Sequence, residues 1–299
     1  MTTNGVADHG RIVVGADGSA GARHAVAWAV DEAARRGAVL EIVHAWTPPV
    51  AIGHMGAMVL PEDDVAYHEA AGHVLDGVLG DVRSRAEAAG VTIDSEVVVG
   101  QTSGVLLERL ERADLLVIGS RGHSGLAGLL LGSISHQCVH HAGGPVAIVP
   151  STAPVPADGD VVVGVDGSEE SWAAVRWAVG EAGRRHGKLV VLHGWLSPIA
   201  VPPVGVGVSN QDVEEFESDT LRMLHEMVDG MVAQASEPPA EIELLATDEP
   251  PAHALIERSN GAGLVVVGSR GHGGFTGLLL GSVSQKVIHH AHSAVVVVR

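Results

Sequence analysis

Residues Gly119–Ser135 read "GSRGHSGLAGLLLGSIS" and follow the aliphatic run "LLVI". The same phrase returns 149 positions later as "GSRGHGGFTGLLLGSVS", Gly268–Ser284, behind "LVVV". A short aliphatic run bounded by glycine has the signature of a buried strand. The closing Gly-Ser pair, Gly132-Ser133 or Gly281-Ser282, has that of a helix start. Each stretch therefore predicts strand, glycine loop and helix in sequence.

Other landmarks keep the 149-residue offset. "VVGADGS" at Val13–Ser19 matches "VVGVDGS" at Val162–Ser168, "VHAW" at Val43–Trp46 matches "LHGW" at Leu192–Trp195, and "HHA" at His140–Ala142 matches "HHA" at His289–Ala291. A period this long is that of a duplicated domain, not of a solenoid repeat. The domains expected are residues 9–150 and 160–299. The Pro-, Ser- and Ala-rich segment 151–159 between them reads as a linker.

Within the first unit, Arg11–Asp17 predicts a buried strand. Ser19 then caps a helix that carries Ala22, Ala25, Val26, Ala29, Val30 and Ala33 on one face and stops at Gly37. Val39–Trp46 is the second strand, and residues 47–61 are expected as a long loop. A helix over residues 62–89, a strand over Thr92–Val99, a helix over Ser103–Arg112 and a strand over Leu115–Ser120 follow. A helix over Ser133–Ala142 and a strand over Val146–Val149 complete the unit. Strands alternating with helices imply right-handed crossovers and a mostly parallel sheet. The fold class expected is α/β: two tandem doubly wound domains, each with a five-stranded parallel sheet in the order 3-2-1-4-5.

Composition sets bounds. The 299 residues are 46% hydrophobic and only 3% aromatic, so the core must be built from Val, Leu, Ile and Ala. The formal net charge is −18, and both halves share it: 9 Arg against 17 acids before residue 152, 9 Lys or Arg against 19 acids after it. Neither half offers a basic face, which argues against a nucleic acid or an anionic membrane as partner. Cys138 is the only cysteine, the start "MTTNGVADHG" resembles no signal peptide, and no apolar run is long enough to span a bilayer. A cytoplasmic protein is expected.

The glycine loop suggests a ligand. In doubly wound sheets ligands bind beyond the carboxyl ends of the strands, where the strand order reverses. "GADGS" and "GSRGHSG" both lie at such ends. Glycine lets backbone N–H groups approach an anion closely, and the helix start at Ser133 adds its dipole and a hydroxyl. Two donor clusters on one rim suit a di- or triphosphate.

At this point the chain resembles the universal stress protein family in its tandem form. The family's nucleotide signature, G-x2-G-x9-G-[S/T], stands here as Gly119, Gly122, Gly132, Ser133 and again as Gly268, Gly271, Gly281, Ser282. The aspartate ending the first strand also fits, at Asp17 and Asp166. The resemblance implies ATP, two per chain, with Mg²⁺ as a further option. It places Gly15, Asp17 and Ala45 beside the nucleoside. Ribose and phosphates fall to Gly119, Ser120, Arg121, Gly122, His123, Ser124, Gly125, Gly132, Ser133, Ile134 and Ser135. In the second unit the matching positions are Gly164, Asp166 and Gly194, then Gly268, Ser269, Arg270, Gly271, His272, Gly273, Gly274, Gly281, Ser282, Val283 and Ser284. The resemblance also implies that the halves pair about a pseudo-twofold axis through their last strands. A homodimer and an unidentified protein partner stay open.

Catalysis has little support. There is no G-x4-G-K-[ST] loop, no G-x-G-x-x-G after the first strand and no G-x-S-x-G elbow. His123 and His272 are loop histidines that either reach a phosphate or face solvent. His136 and His140 have metal-ligand spacing, but Gln285 stands in the matching place, so no metal site is expected. His44 and His193 either border a nucleotide or bond to backbone. The function expected is an ATP-binding regulatory or stress-response protein whose nucleotide state controls partner interaction or growth state. The alternatives are a slow ATP-hydrolysing enzyme of the adenine-nucleotide α-hydrolase class and a scaffold that binds no nucleotide.

Overall fold

The structure is a computed structural model. It describes residues 10–47, 50–53, 56–59, 65–122, 131–151, 158–195, 210–272 and 280–299. The chain divides into two compact units, Met1–Pro154 and Val155–Arg299.

In the first unit β1 (Arg11–Gly15), β2 (Val39–Trp46), β5 (Ile93–Val99), β6 (Leu115–Gly119) and β7 (Val146–Val149) pair in parallel. Their order across the sheet is β5-β2-β1-β6-β7, the expected 3-2-1-4-5. Helices α1 (Ala20–Arg36), α2 (Val65–Ala89), α3 (Thr102–Leu110) and α4 (Ser133–His141) make the crossovers.

The second unit repeats this with β8 (Val161–Gly164), β9 (Lys188–Gly194), β10 (Glu241–Thr247), β11 (Leu264–Gly268) and β12 (Ala294–Val298). They pair in parallel in the order β10-β9-β8-β11-β12. The helices are α5 (Glu169–Arg184), α6 (Asn210–Val232), α7 (Pro251–Arg258) and α8 (Ser282–His290). The acidic start of α6 is solvated, as its composition suggests: Glu214 through Asp219 are all exposed.

Two expectations shift. The first strand ends at Gly15, because Asp17 and Gly18 turn the chain into α1. The segment expected as a loop contains a hairpin, β3 (Val50–Gly53) against antiparallel β4 (Gly56–Val59). Its mixed Pro, Gly and Met content hid the alternation that marks strands.

The core is aliphatic. Ile12, Val13 and Val14 on β1 are fully buried, as are Leu115, Leu116 and Val117 beside them. Covered on both faces, such strands need no alternation of polar and apolar residues. The face of α1 that carries Ala22, Ala25, Val26, Ala29, Val30 and Ala33 is buried, with Trp28 beside it. Alanine lets that helix lie close to the sheet. Cys138 on α4 is also buried, and burial pushes its thiol up to about 12.

The C-terminal ends of α1 and α5 correspond residue by residue. Glu32 is fully buried, with Arg36 Nε 2.6 Å and Arg35 2.7 Å from its two oxygens. Glu181 is buried likewise, with Arg185 Nε at 2.7 Å and Arg184 at 3.2 Å. Charges so deep in the fold are tolerable only when paired. Just past each pair the chain turns through the left-handed region. Gly37 does so at φ 59°, its N–H reaching back to Ala33 and Ala34. In the second unit the turn falls on His186, at φ 49°, with its N–H on Gly183 O at 2.9 Å.

A β-carbon in that region costs about 1–2 kcal/mol, which is why glycine ends so many helices. His186→Gly is therefore expected to stabilise the second unit by about 1 kcal/mol, less some loss to the freer unfolded chain. Urea unfolding followed by circular dichroism checks it; an unchanged or lowered midpoint would contradict the strain.

Candidate functional site

Both candidate sites are built at the carboxyl ends of the strands, from a turn, a loop and two helix starts. The turn comes first. Asp17 follows β1, and its Oδ1 accepts from Ser19 N at 2.9 Å. Ser19 in turn caps α1, its hydroxyl accepting from Ala22 N at 3.1 Å. In the second unit Asp166 Oδ1 accepts from Ser168 N at 3.0 Å and from Ser168 Oγ at 2.6 Å, while Ser168 Oγ caps α5 by accepting from Ser171 N at 3.2 Å.

The aspartate also meets the glycine loop. Asp166 Oδ2 accepts from His272 N at 3.0 Å. A β-carbon on Gly122 would stand 2.5 Å from Asp17 Oδ2, and one on Gly271 would overlap Asp166 Oδ2. The loop is thus laid directly on the carboxylate, at a separation only glycine permits. Partial desolvation raises the pKa of Asp166. The hydrogen bonds from the Ser168 hydroxyl and backbone, the His272 backbone and Ser171 together outweigh this and hold it below its ordinary value.

The ends of the loop are fixed to the sheet. Gly132 N donates to Ser120 O and Gly281 N to Ser269 O, each at 2.8 Å. Ser135 Oγ donates to Gly119 O at 2.8 Å, and Ser284 Oγ to Gly268 O at 2.6 Å. These bonds hold the starts of α4 and α8 against the strand ends. Gly132 and Gly281 occupy the cap positions and supply no side-chain acceptor. The first N–H groups of both nine-residue helices therefore stay open to an anion, reinforced by the helix dipole.

The parts enclose a cavity in each unit. The first, about 110 Å³, is lined by Gly15, Asp17, Ala45, Gly119, Arg121, Gly122, Gly132, Ser133, Ile134 and Ser135 among the expected residues. The second, about 420 Å³, is lined by Gly164, Asp166, Gly194, Gly268, Arg270, Gly271, Gly281, Ser282, Val283 and Ser284. Ser120 and Ser269 are buried and line neither cavity; Ser120 Oγ accepts from Ser151 N at 3.2 Å. His272 contributes its backbone N–H to Asp166. His123, Ser124, Gly125, Gly273 and Gly274 lie outside the described residues. Among the described residues no group of three or more His, Cys, Asp or Glu is placed to hold a metal ion.

Two wall residues in each unit come from its third helix and carry no motif. They are Thr102 and Leu106 in the first cavity, Pro251 and Leu255 in the second. They explain other glycines. A β-carbon on Gly15 would sit 2.8 Å from Leu106 Cδ1, and one on Gly164 2.8 Å from Leu255 Cδ1. The recurrence of this leucine at the 149-residue offset was the available signal. His44 and His193 prove to be backbone ties: Nδ1 donates to Ala16 O at 2.7 Å and to Val165 O at 2.8 Å. Each holds the second strand to the residue that follows the first.

The universal stress protein family matches residues 9–150 and again 159–299. A universal stress protein of Mycolicibacterium smegmatis is 36% identical over 296 residues, covering 96% of each chain. One from Mycobacterium tuberculosis is 35% identical over 298 residues and covers 97% of each. A solved universal stress protein from Archaeoglobus fulgidus shares the fold with a TM-score of 0.68 at 20% identity, covering 97% of this chain and 98% of that one.

A carboxylate whose folded pKa is depressed stabilises its surroundings above the unfolded pKa of about 3.9, and that stability is lost as pH falls through the folded value. The hydrogen-exchange protection of the His272 amide is therefore expected to hold from neutral pH to about pH 4 and to fall below it. Asp166→Ala is expected to lower that protection roughly tenfold already at pH 7. Protection unaffected by the substitution would mean that the loop is held by something else.

Proposed function

This chain belongs to the universal stress protein family in its tandem form, and on that premise we propose that each unit holds one ATP. The observation that carries this reading is the cradle. In both units a loop glycine rests on the aspartate after the first strand, and an uncapped helix start faces the same cavity. Close-approach backbone and open N–H groups suit polyphosphate oxygens. The apolar walls formed by Leu106 and Ile118, or by Leu192, Leu255 and Val267, suit a flat base.

Each residue has a part in that reading. Gly122 and Gly271 let the loop backbone approach the phosphates. The N–H groups at Ser133–Ser135 and Ser282–Ser284 receive phosphate oxygens. Arg121 supplies positive charge at the first rim; Arg270, at the second, stands beside Glu170. Asp17 and Asp166 position the loop, and their carboxylates keep acceptor capacity for a ribose hydroxyl or the amino group of a base. Mg²⁺, when bound with ATP, would neutralise phosphate charge beside these carboxylates. Among the described residues the lining offers backbone N–H groups, glycines and apolar walls, and the function proposed is holding the nucleotide. Its occupancy would then signal to a partner or set a growth state in the cytoplasm. The last-strand pairing expected of tandem members belongs to the same proposal.

The decisive measurement is chromatography of the small molecules released when the purified protein is denatured, with calorimetric titration of the emptied protein. ATP at up to two per chain, or titration to two sites, is expected. Gly122→Val with Gly271→Val is expected to weaken binding at least a hundredfold with little change in the far-ultraviolet spectrum. An empty protein that takes up no ATP would overturn the proposal.

A further inference from the structure

The duplicated sites carry different charge. Arg121 lines the first cavity, and its Nε is shielded from water with no acceptor among the described residues. Arg270 lines the second, and its guanidinium pairs with Glu170 Oε1 at 3.0 Å. The 149-residue offset places Gly21 opposite Glu170 and Ala20 opposite Glu169. Hence α5 begins with two acids where α1 begins with none. The first unit has no room to acquire the missing acid, because a β-carbon at Gly21 would overlap the carbonyl oxygen of Arg121.

Each rim can therefore be written as a set of charges. Among the described residues the first holds one carboxylate, Asp17, and one guanidinium, Arg121, whose Nε has no acceptor. Among the described residues the second holds two carboxylates, Asp166 and Glu170, around Arg270, and the guanidinium of Arg299 lies near enough to Arg270 for the two to repel. The ion pair at the second rim is partly exposed and weak as a bond. The charge of Glu170 nonetheless remains beside any phosphate that Arg270 would meet, and like charges a few ångströms apart cost binding energy. The walls differ as well. The second cavity has Gly194 and Pro251 where the first has Ala45 and Thr102, and it is the larger, about 420 against 110 Å³. A β-carbon at Gly194 would stand 2.8 Å from Pro251 Cα, so the glycine there answers to the proline.

We infer that the two sites have diverged in what they recognise: the first selects its nucleotide by phosphate charge through Arg121, while the second, with Arg270 offset by Glu170, holds adenine nucleotides with little regard to the number of phosphates. This rests on the nucleotide reading above and adds a specificity that the duplication alone would not give. In a cell where the adenylate pool shifts between triphosphate and monophosphate, the first site would exchange or empty and the second would stay filled.

The test is calorimetric titration of the intact, nucleotide-free chain with ATP and with AMP. Two classes of site are expected, one preferring ATP over AMP about tenfold more strongly than the other, and losing that preference as salt screens it. Arg121→Gln is expected to abolish the larger preference and Arg121→Lys to retain most of it. Arg270→Gln is expected to change neither preference more than about twofold, and Glu170→Gln to raise the weaker one about fivefold. Equal ATP preference at both sites, or equal losses from Arg121→Gln and Arg270→Gln, would overturn this inference and leave ATP binding standing. Failure of the unaltered chain to bind either nucleotide would overturn both.

Discussion

One carboxylate per unit organises everything around it. Asp17 and Asp166 follow a strand, turn back on the N–H two residues ahead, and so set the angle at which the next helix leaves the sheet. Asp166 also accepts from the loop after the fourth strand, joining segments 106 positions apart in sequence. A carboxylate can accept from several donors at once, and here it uses that capacity on its own backbone. If the carboxylate is lost, the crevice loses the link between its two walls. The glycines at Gly122 and Gly271 follow from this contact, since the loop must pass where a β-carbon would collide with the carboxylate.

Most of the architecture was legible because the physics is local and repeated. Short aliphatic runs gave the strands, and Ser19 and Gly37 marked helix ends where the structure has them. The glycine spacing located the loop and the helix that follows it. What escaped depended on contacts between distant segments. Leu106 and Leu255 look like ordinary core residues until Gly15 and Gly164 are seen to make room for them. The bond that Asp166 accepts from His272 N, 106 positions further on, had no sign in the motif. Ser120 and Ser269 share the motif with their neighbours yet turn inward, because alternate residues at a strand end face opposite ways. The β3–β4 hairpin lay in a stretch whose composition pointed to a loop.

Duplication supplies a comparison within one chain. Where the units agree, the constraint is architectural: the buried glutamates Glu32 and Glu181, the histidines bonded to Ala16 and Val165, and the hydroxyls of Ser135 and Ser284 on the fourth-strand carbonyls. Where they differ, the constraint has relaxed or been redirected. His186 takes a backbone conformation that Gly37 takes without strain, which marks a place where the second unit tolerates a cost. Gly21 and Glu170 differ at the rim itself, where a change of charge alters what the cavity meets and leaves the framework intact.

The buried thiol of Cys138 is shielded from oxidants. Burial pushes the Cys138 thiol up to about 12, so it stays protonated at neutral pH, and the thiolate is the form that peroxides attack. It is also closed off from solvent on α4. The chain therefore has no cysteine through which an oxidant can address it directly while it stays folded. The sulfur that oxidants can reach in this fold is that of methionine, with Met223 and Met227 exposed on α6.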